Sequence, residues 1–248
     1  MVATRPGSTA TATPRVATAT AARSAAASSP GAARRSRALD GSGSLSVQSR
    51  GLALDAHFGA QSGHALAPAL TAIARIPDGI INVTEKRALL PAWGSLRLGD
   101  RVCSLDHGVA GYDLTRGLLA RRTQWRWAFS LGKTSEGEPL ALNLVEGFVG
   151  APECAIWLGD TVTRVGEGRV SFDRERPEEP WSVRTADGSV DLQFTPGDFH
   201  REERDLVVAS ARFVQGVGRF SGRITVPGQR ERSVNGALGV TEDQNTLW

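Results

Sequence analysis

The sequence predicts an all-β protein, an antiparallel sandwich or barrel, and three observations carry that expectation. Short runs of alternating apolar and polar residues recur from about residue 50 onward, Gly, Asp and Pro clusters separate them, and no helical period persists beyond a few residues. The clearest unit is WSVRTADGSVDLQF. Trp181, Val183 and Thr185 alternate before the turn and Val190, Leu192 and Phe194 after it, so Asp187-Gly188 is expected to supply the φ > 0 residues of a hairpin.

The chain begins differently. Residues 1 to about 39 are Ala, Thr, Ser, Pro and Arg with almost no large apolar side chain, too little to offset the entropy of ordering, and they are expected to be disordered. An acid-free, Arg- and Ser-rich segment also has the composition of an organellar transit peptide or of a compositionally biased extension, and lacks the apolar core of a secretory signal. Gly41 to Ser44 (GSGS) marks the boundary. Strands are then expected at Leu52 to Phe58, Thr71 to Ile76, Arg87 to Leu90, Ser95 to Leu98, Thr123 to Leu131, Leu140 to Val145, Ala155 to Leu158 and Arg169 to Phe172. After the hairpin come Leu206 to Gln215, Phe220 to Val226 and Ser233 to Val240. The organisation is a tail over 1–45, an N-terminal β module over 46–120 and a C-terminal β-barrel module over 121–248.

Charge excludes one class of partner. There are 29 basic and 26 acidic side chains, net +3, but six arginines (Arg5, Arg15, Arg23, Arg34, Arg35, Arg37) precede Asp40 with no acid among them. The remainder therefore carries 23 bases against 26 acids, a net of −3. Such a body has no surplus of cations to neutralise phosphates, so nucleic acid is not an expected partner. No run approaches the roughly 20 apolar residues that span a bilayer as a helix. Cys103 and Cys154 fit neither a disulfide framework nor a metal-ligand spacing, which points to a reducing, cytoplasmic location, or an organelle if the tail is a transit peptide.

RRTQWRWAFSLG, Arg121 to Gly132, places Trp125, Trp127 and Phe129 at alternate positions. The polar loop GKTSEGEP joins this run to Leu140 to Val145, so the two pair antiparallel. Matching apolar faces sets Leu131 opposite Leu140, Phe129 by Leu142, Trp127 by Leu144 and Trp125 by Glu146. That face turns inward, either as core filler or as the wall of a ligand cavity. With Trp157 and Trp181 on other strands, the candidate ligand-binding set is Trp125, Trp127, Phe129, Leu142, Leu144, Trp157 and Trp181.

Chemistry is sparse. GxSxG, a GxGxxG following a strand, the Walker A loop and HExxH are all missing. His57, His64, His107 and His200 lack ligand spacing, so neither a metal nor a cofactor is expected. In GYDLTRG, Asp113 and Thr115 offer a carboxylate and a hydroxyl to a ligand, or else serve an Asx or Ser/Thr turn. The register above puts Glu146 beside Trp125, where desolvation would keep it protonated as a catalytic acid; the alternative is that Gly147 ends the strand and Glu146 points to solvent. Glu153 and Asp191 are weaker candidates of the same kind. Asn82-Val83-Thr84 is a glycosylation sequon only in a secreted chain, and HREERD (His200 to Asp205) reads as a solvated loop.

Several ordered segments carry a family resemblance. TEKRALLPAWGSLRLGDRVCSLDHGVAGYDLTRGLLARRTQWRWAFSLG, NLVEG, PW, DGSVDLQFTP, VGRFSG and GVTEDQNTLW, spanning about Thr84 to Trp248, resemble the family catalogued as domain of unknown function 2804. The resemblance implies a two-module lipocalin-like barrel, an architecture shared with carotenoid hydratases and tocopherol cyclases. It implies no established activity. Family members are usually longer at the N-terminal end, which implies an incomplete first barrel here. Three functions follow as expectations: binding of an apolar lipid or isoprenoid-like molecule, cofactor-free hydration, cyclisation or isomerisation of such a molecule, or a structural barrel with a filled core.

Overall fold

Two antiparallel sheets, joined in sequence by a short link after residue 118, make up the protein. The computed structural model describes residues 32–38, 41–60, 68–76, 78–206 and 208–248. The first sheet contains β1 (Ala32–Arg37), β2 (Gly43–Ser49), β3 (Leu52–Phe58), β4 (Leu70–Ala74), β5 (Ile81–Leu98), β6 (Arg101–Ser104) and β7 (Gly108–Leu118). Its organiser is β5, whose first half pairs with β4 and β7 and whose second half pairs with β3 and β6. Along that first half the side chains alternate with a period of 2. Asn82, Thr84, Lys86, Ala88 and Leu90 are buried on one face, which turns towards the second sheet.

The second sheet contains β8 (Arg122–Lys133), β9 (Pro139–Gly147), a 3-10 turn at Ala151–Glu153, β10 (Ala155–Leu158), β11 (Thr161–Arg164), β12 (Gly168–Ser171), β13 (Trp181–Thr185), β14 (Val190–Leu206), β15 (Ala209–Thr225) and β16 (Glu231–Leu247). The strand order is β11-β10-β9-β8-β16-β15-β14-β13-β12. The sheet curls until β12 lies over β9, and the seam is closed by side chains rather than by a ladder. Glu146 Oε2 accepts the Val170 N–H at 2.9 Å, and Arg126 Nη1 donates to the Val170 carbonyl at 2.8 Å. Gly168 makes this approach feasible, because a Cβ there would meet Val145 N at 3.0 Å and Leu144 Cβ at 3.1 Å. Inside the curl, Phe172 stacks on Trp181 at 3.7 Å, and Trp181, Phe194 and Phe220 pack in series with Leu142 and Leu144. The interior of the barrel is a filled aromatic and aliphatic core.

The architecture is the expected all-β barrel, and the differences have physical causes. Part of the segment expected to be disordered forms β1, antiparallel to β2, through main-chain pairing that needs no apolar side chains; the rest of residues 1–31 lies outside the described residues. The two short strands expected at Arg87 and Ser95 are one long β5, interrupted by an irregularity between Arg87 and Leu90 where Leu89 has φ 57°. HREERD is not a loop. It continues β14 beyond a bulge at Pro196 to Asp198 and pairs with β15, its mixed charges facing solvent on a strand. In the hairpin it is Gly188 alone, at φ 76°, that supplies the positive φ, while Asp187 accepts bonds from the Ser189 N–H and hydroxyl and from the Gly166 N–H. Burial works against that carboxylate, but its hydrogen bonds, from Thr185 as well, hold it at about 2.

The largest correction concerns β8 and β9. Leu131 lies opposite Ala141, Phe129 opposite Asn143, Trp127 opposite Val145 and Trp125 opposite Gly147, one residue from the apolar-matched register. Every residue from Leu140 to Val145 is buried, so both faces of β9 are covered and apolar matching carries no register information. The slip moves Leu142, Leu144 and Glu146 to the face opposite the aromatic row.

The filled barrel core gives a direct test. Trp181→Ala should destabilise the protein by about 3–5 kcal/mol in urea unfolding, as a truncated core aromatic does, and a loss below about 1 kcal/mol would contradict a packed interior.

Candidate functional site

Where the two sheets meet, β5 exchanges apolar for polar residues. Apolar Ala88 and Leu90 give way along the same buried face to Lys86, Thr84 and Asn82. The β5–β7 ladder sets Asp113 opposite Lys86 and Thr115 opposite Thr84. The Lys86 ammonium bridges two carboxylates, Asp113 Oδ2 and, at 3.3 Å, Glu153 Oε2. Thr84 Oγ1 and Thr115 Oγ1 both donate to Asp113 Oδ1, at 3.2 and 3.4 Å.

Glu153 belongs to the other sheet's 3-10 turn, a bend that starts at Gly150 and contains Pro152. Its carboxylate accepts from Asn82 Nδ2 at 2.9 Å, and its main-chain carbonyl accepts from Asn143 Nδ2 at 2.7 Å. Trp127 Nε1 in turn donates to Asn143 Oδ1 at 2.7 Å. A polar chain from Trp127 through Asn143, Glu153 and Lys86 to Asp113 thus crosses the boundary between the sheets. Beside it stands Glu242 of β16, opposite Trp127 in the ladder, accepting from Trp125 Nε1 at 2.7 Å and Gln215 Nε2 at 3.0 Å.

Burial sets the electrostatics. The Lys86 side chain is only 2% exposed, whereas that of Asp113 is 33% exposed, so the cluster opens to solvent on the β7 side. Desolvation pushes the Glu153 carboxyl up, reinforced by the Asp113 charge and opposed by Lys86 and Asn82. Desolvation also raises Glu242, against the hydrogen bonds from Trp125 and Gln215; the Asp113 charge adds to the rise and Lys86 opposes it. Asn82 Oδ1 is buried and accepts no hydrogen bond. The arrangement sets buried carboxyls whose proton affinity is raised next to a carboxylate paired with Lys86, the elements of acid–base chemistry.

The residues singled out from the sequence fall into three places. Trp125, Trp127, Phe129 and Trp157 lie on the face towards the first sheet, with Trp125 and Trp127 half-buried and Phe129 and Trp157 packed against Leu70 and Ala88. Leu142, Leu144 and Trp181 lie in the barrel core, on the opposite face of the strands from the aromatic row, although Trp125 and Trp127 also pack against the edge of that cluster. Asp113 is in the ion cluster, in mid-strand and not in a turn. Glu146 is not beside Trp125: it pairs with Arg126 across the ladder and closes the barrel seam. Asp191 lies on the outside between Arg184 and Arg223. His57 stacks on Trp93, His107 occupies the turn before β7, and His200 lies 6.0 Å from Phe213; His64 is outside the described residues. Among the described residues no group of His, Cys, Asp and Glu has the arrangement of a metal site.

Lys86, Glu242, Asn82, Asn143 and Gln215 are the members that sequence reasoning missed. A signal for the first existed: Asn82, Thr84 and Lys86 continue the period-2 pattern of Ala88 and Leu90. Glu242 lies beyond the expected end of its strand at Val240, and only the β8 ladder shows that the strand runs on.

The raised Glu242 carboxyl makes a pH-dependent contribution. Its folded value lies above the ordinary 4.5, so in that window the folded state binds more protons than the unfolded state and stability falls as pH rises. Glu242→Gln should therefore raise Tm relative to wild type at neutral pH, with the advantage vanishing near pH 4. Parallel Tm-against-pH curves would show that Glu242 ionises as it does in solution.

Comparison with known proteins bears on this fold. The structure is similar to a protein assigned as AttH from Nitrosomonas europaea, with 15% identity, a TM-score of 0.44, and coverage of 84% of this chain and 67% of that one. It is also similar to kievitone hydratase from Nectria haematococca, with 12% identity, a TM-score of 0.43, and coverage of 83% and 64% respectively. The chain thus spans about two thirds of the length of these structures. No curated protein sequence matches it. The family profile described as Domain of unknown function (DUF2804) matches residues 20–248, reaching back to include β1 to β4, and the chain belongs to that family.

Proposed function

We propose that the protein binds a small, largely apolar molecule in the cleft between its two sheets and catalyses a proton-transfer reaction on it, such as hydration, cyclisation or isomerisation. The observation that carries this reading is the buried Lys86 held between Asp113 and Glu153 beside a fourth ionisable group, Glu242, drawn from both sheets. Burying three ionisable groups, Lys86, Glu153 and Glu242, is a poor way to gain stability, because well-packed apolar residues of similar volume usually do as well or better. Such clusters concentrate instead at sites that move protons.

The roles follow from position. Glu242, whose carboxyl burial pushes up, donates its proton to an unsaturated carbon or carbonyl oxygen of the ligand. Asp113, paired with Lys86 and the most open of the group, accepts a proton from the ligand or from an added water. The two steps leave the site with the same number of protons, and solvent exchange restores the starting arrangement. Trp125 and Phe148, half-buried and 5.6 Å apart, supply apolar surface next to Glu242. A second reading, binding without reaction, is favoured by the same half-buried rings, which suit an apolar ligand whether or not it reacts.

Native mass spectrometry of the purified protein, followed by incubation of any co-purifying molecule with wild type and with Glu242→Gln, separates the readings. The enzyme reading expects a bound apolar molecule, turnover by wild type, and at least about a 100-fold loss in the variant, the scale of a removed general acid, with binding retained. Binding with no turnover by wild type leaves a carrier, and saturable binding unaffected by Trp125→Ala would place the site elsewhere.

A further inference from the structure

Resting on that reading, the donor and acceptor balance of the cleft defines the head group it takes. Each side-chain nitrogen of the cluster already donates to a partner within it. Lys86 is spent on Asp113 and Glu153, Trp125 Nε1 and Gln215 Nε2 on Glu242, Trp127 Nε1 on Asn143, Asn82 Nδ2 on the Glu153 carboxylate and Asn143 Nδ2 on its carbonyl. The acceptors are not all committed. Asn82 is fully buried and its Oδ1 has no partner among the described residues, and the Asp113 carboxylate is open to solvent on one side.

Charge points the same way. Two carboxylates, Asp113 and Glu153, contact the one ammonium, and a third carboxyl, Glu242, lies close enough to feel the charges of Lys86 and Asp113. The nearby guanidinium of Arg126 lies on the opposite face of β8, paired with Asp243 and Glu146. Arg87 lies on the opposite face of β5, paired with Glu85. An anionic head group would find no uncompensated cation in the cluster and would meet the like charge of the Asp113 carboxylate at its open side.

We infer that the inter-sheet cleft takes an apolar molecule bearing a neutral or cationic hydrogen-bond donor, a hydroxyl or an amine, and rejects the carboxylate of a fatty acid. The exposed edge of Asp113 receives the donor, and the faces of Trp125 and Phe148 receive the chain or ring, an arrangement that also favours a cation over an aromatic face.

Three ligands with one chain, dodecanol, dodecylamine and dodecanoate, titrated below their micelle limits at roughly pH 8 and followed by tryptophan emission, provide the test. The alcohol and amine should saturate, and dodecanoate should bind at least about ten-fold more weakly, a difference of about 1.4 kcal/mol. Asp113→Asn, which is isosteric, should narrow that gap, and added salt should narrow it in wild type, because screening weakens a charge effect. Dodecanoate binding as tightly as dodecanol, or a gap unchanged in Asp113→Asn and in salt, would overturn the selectivity while leaving the cleft as an apolar site. Failure of all three ligands to bind would overturn the proposed site itself and the selectivity with it.

Discussion

The ammonium of Lys86 has almost no access to water, and the meeting of the two sheets is arranged around that fact. A buried cation costs several kcal/mol unless counter-charges and hydrogen bonds surround it. One counter-charge comes from within its own sheet, Asp113 across the β5–β7 ladder, and the other from the 3-10 turn of the second sheet. That turn is pinned in its own right. Asn143 holds the Glu153 carbonyl, and the thiol of Cys154 accepts the Val145 N–H at 3.2 Å. The apolar contacts of Leu70 and Ala88 with Phe129, Ala141 and Trp157 bring the sheets together, and the Lys86 contacts fix how they sit.

Because β8, β9 and β16 are covered on both faces, the second sheet serves two purposes at once. Its concave face is packed to form the barrel core, with Trp181, Phe194 and Phe220 at the centre. Its convex face carries Trp125, Trp127, Asn143 and Glu242, which answer the polar half of β5. Alternation along each strand keeps the two sets apart. Glu146 and Glu242 illustrate the consequence: both are carboxylates near Trp125 in sequence or ladder, yet one closes the seam of the barrel and the other belongs to the cleft.

What was legible in the sequence was what is local. The Asp187-Gly188 turn, the period-2 runs and the all-β class depend on neighbouring residues, and they appear in the structure where adjacent residues dictate them. The β8–β9 register depends on which faces are buried, and with β9 apolar throughout, that information resides in the first sheet and not in the hairpin. The strand at HREERD was hidden for a related reason. An outward-facing strand paired along its length needs no apolar alternation, since its main chain is satisfied by β15. Asp113 was visible as a carboxylate next to a hydroxyl, but its partner Lys86 is 27 residues away and is brought opposite only by the pairing of β5 with β7.

The position of the cluster also limits how the protein can use it. A site in the barrel interior would have to be opened at the expense of a close-packed core, in which lost contacts are costly. The boundary between the sheets differs, because it is built of polar side chains bonded largely to one another and opens to solvent through Asp113. The polar face of β5 and the aromatic face of β8 thus serve the joining of the sheets, whose apolar half is the cluster of Leu70, Ala88, Phe129 and Trp157, and the close-packed centre of the barrel lies behind them.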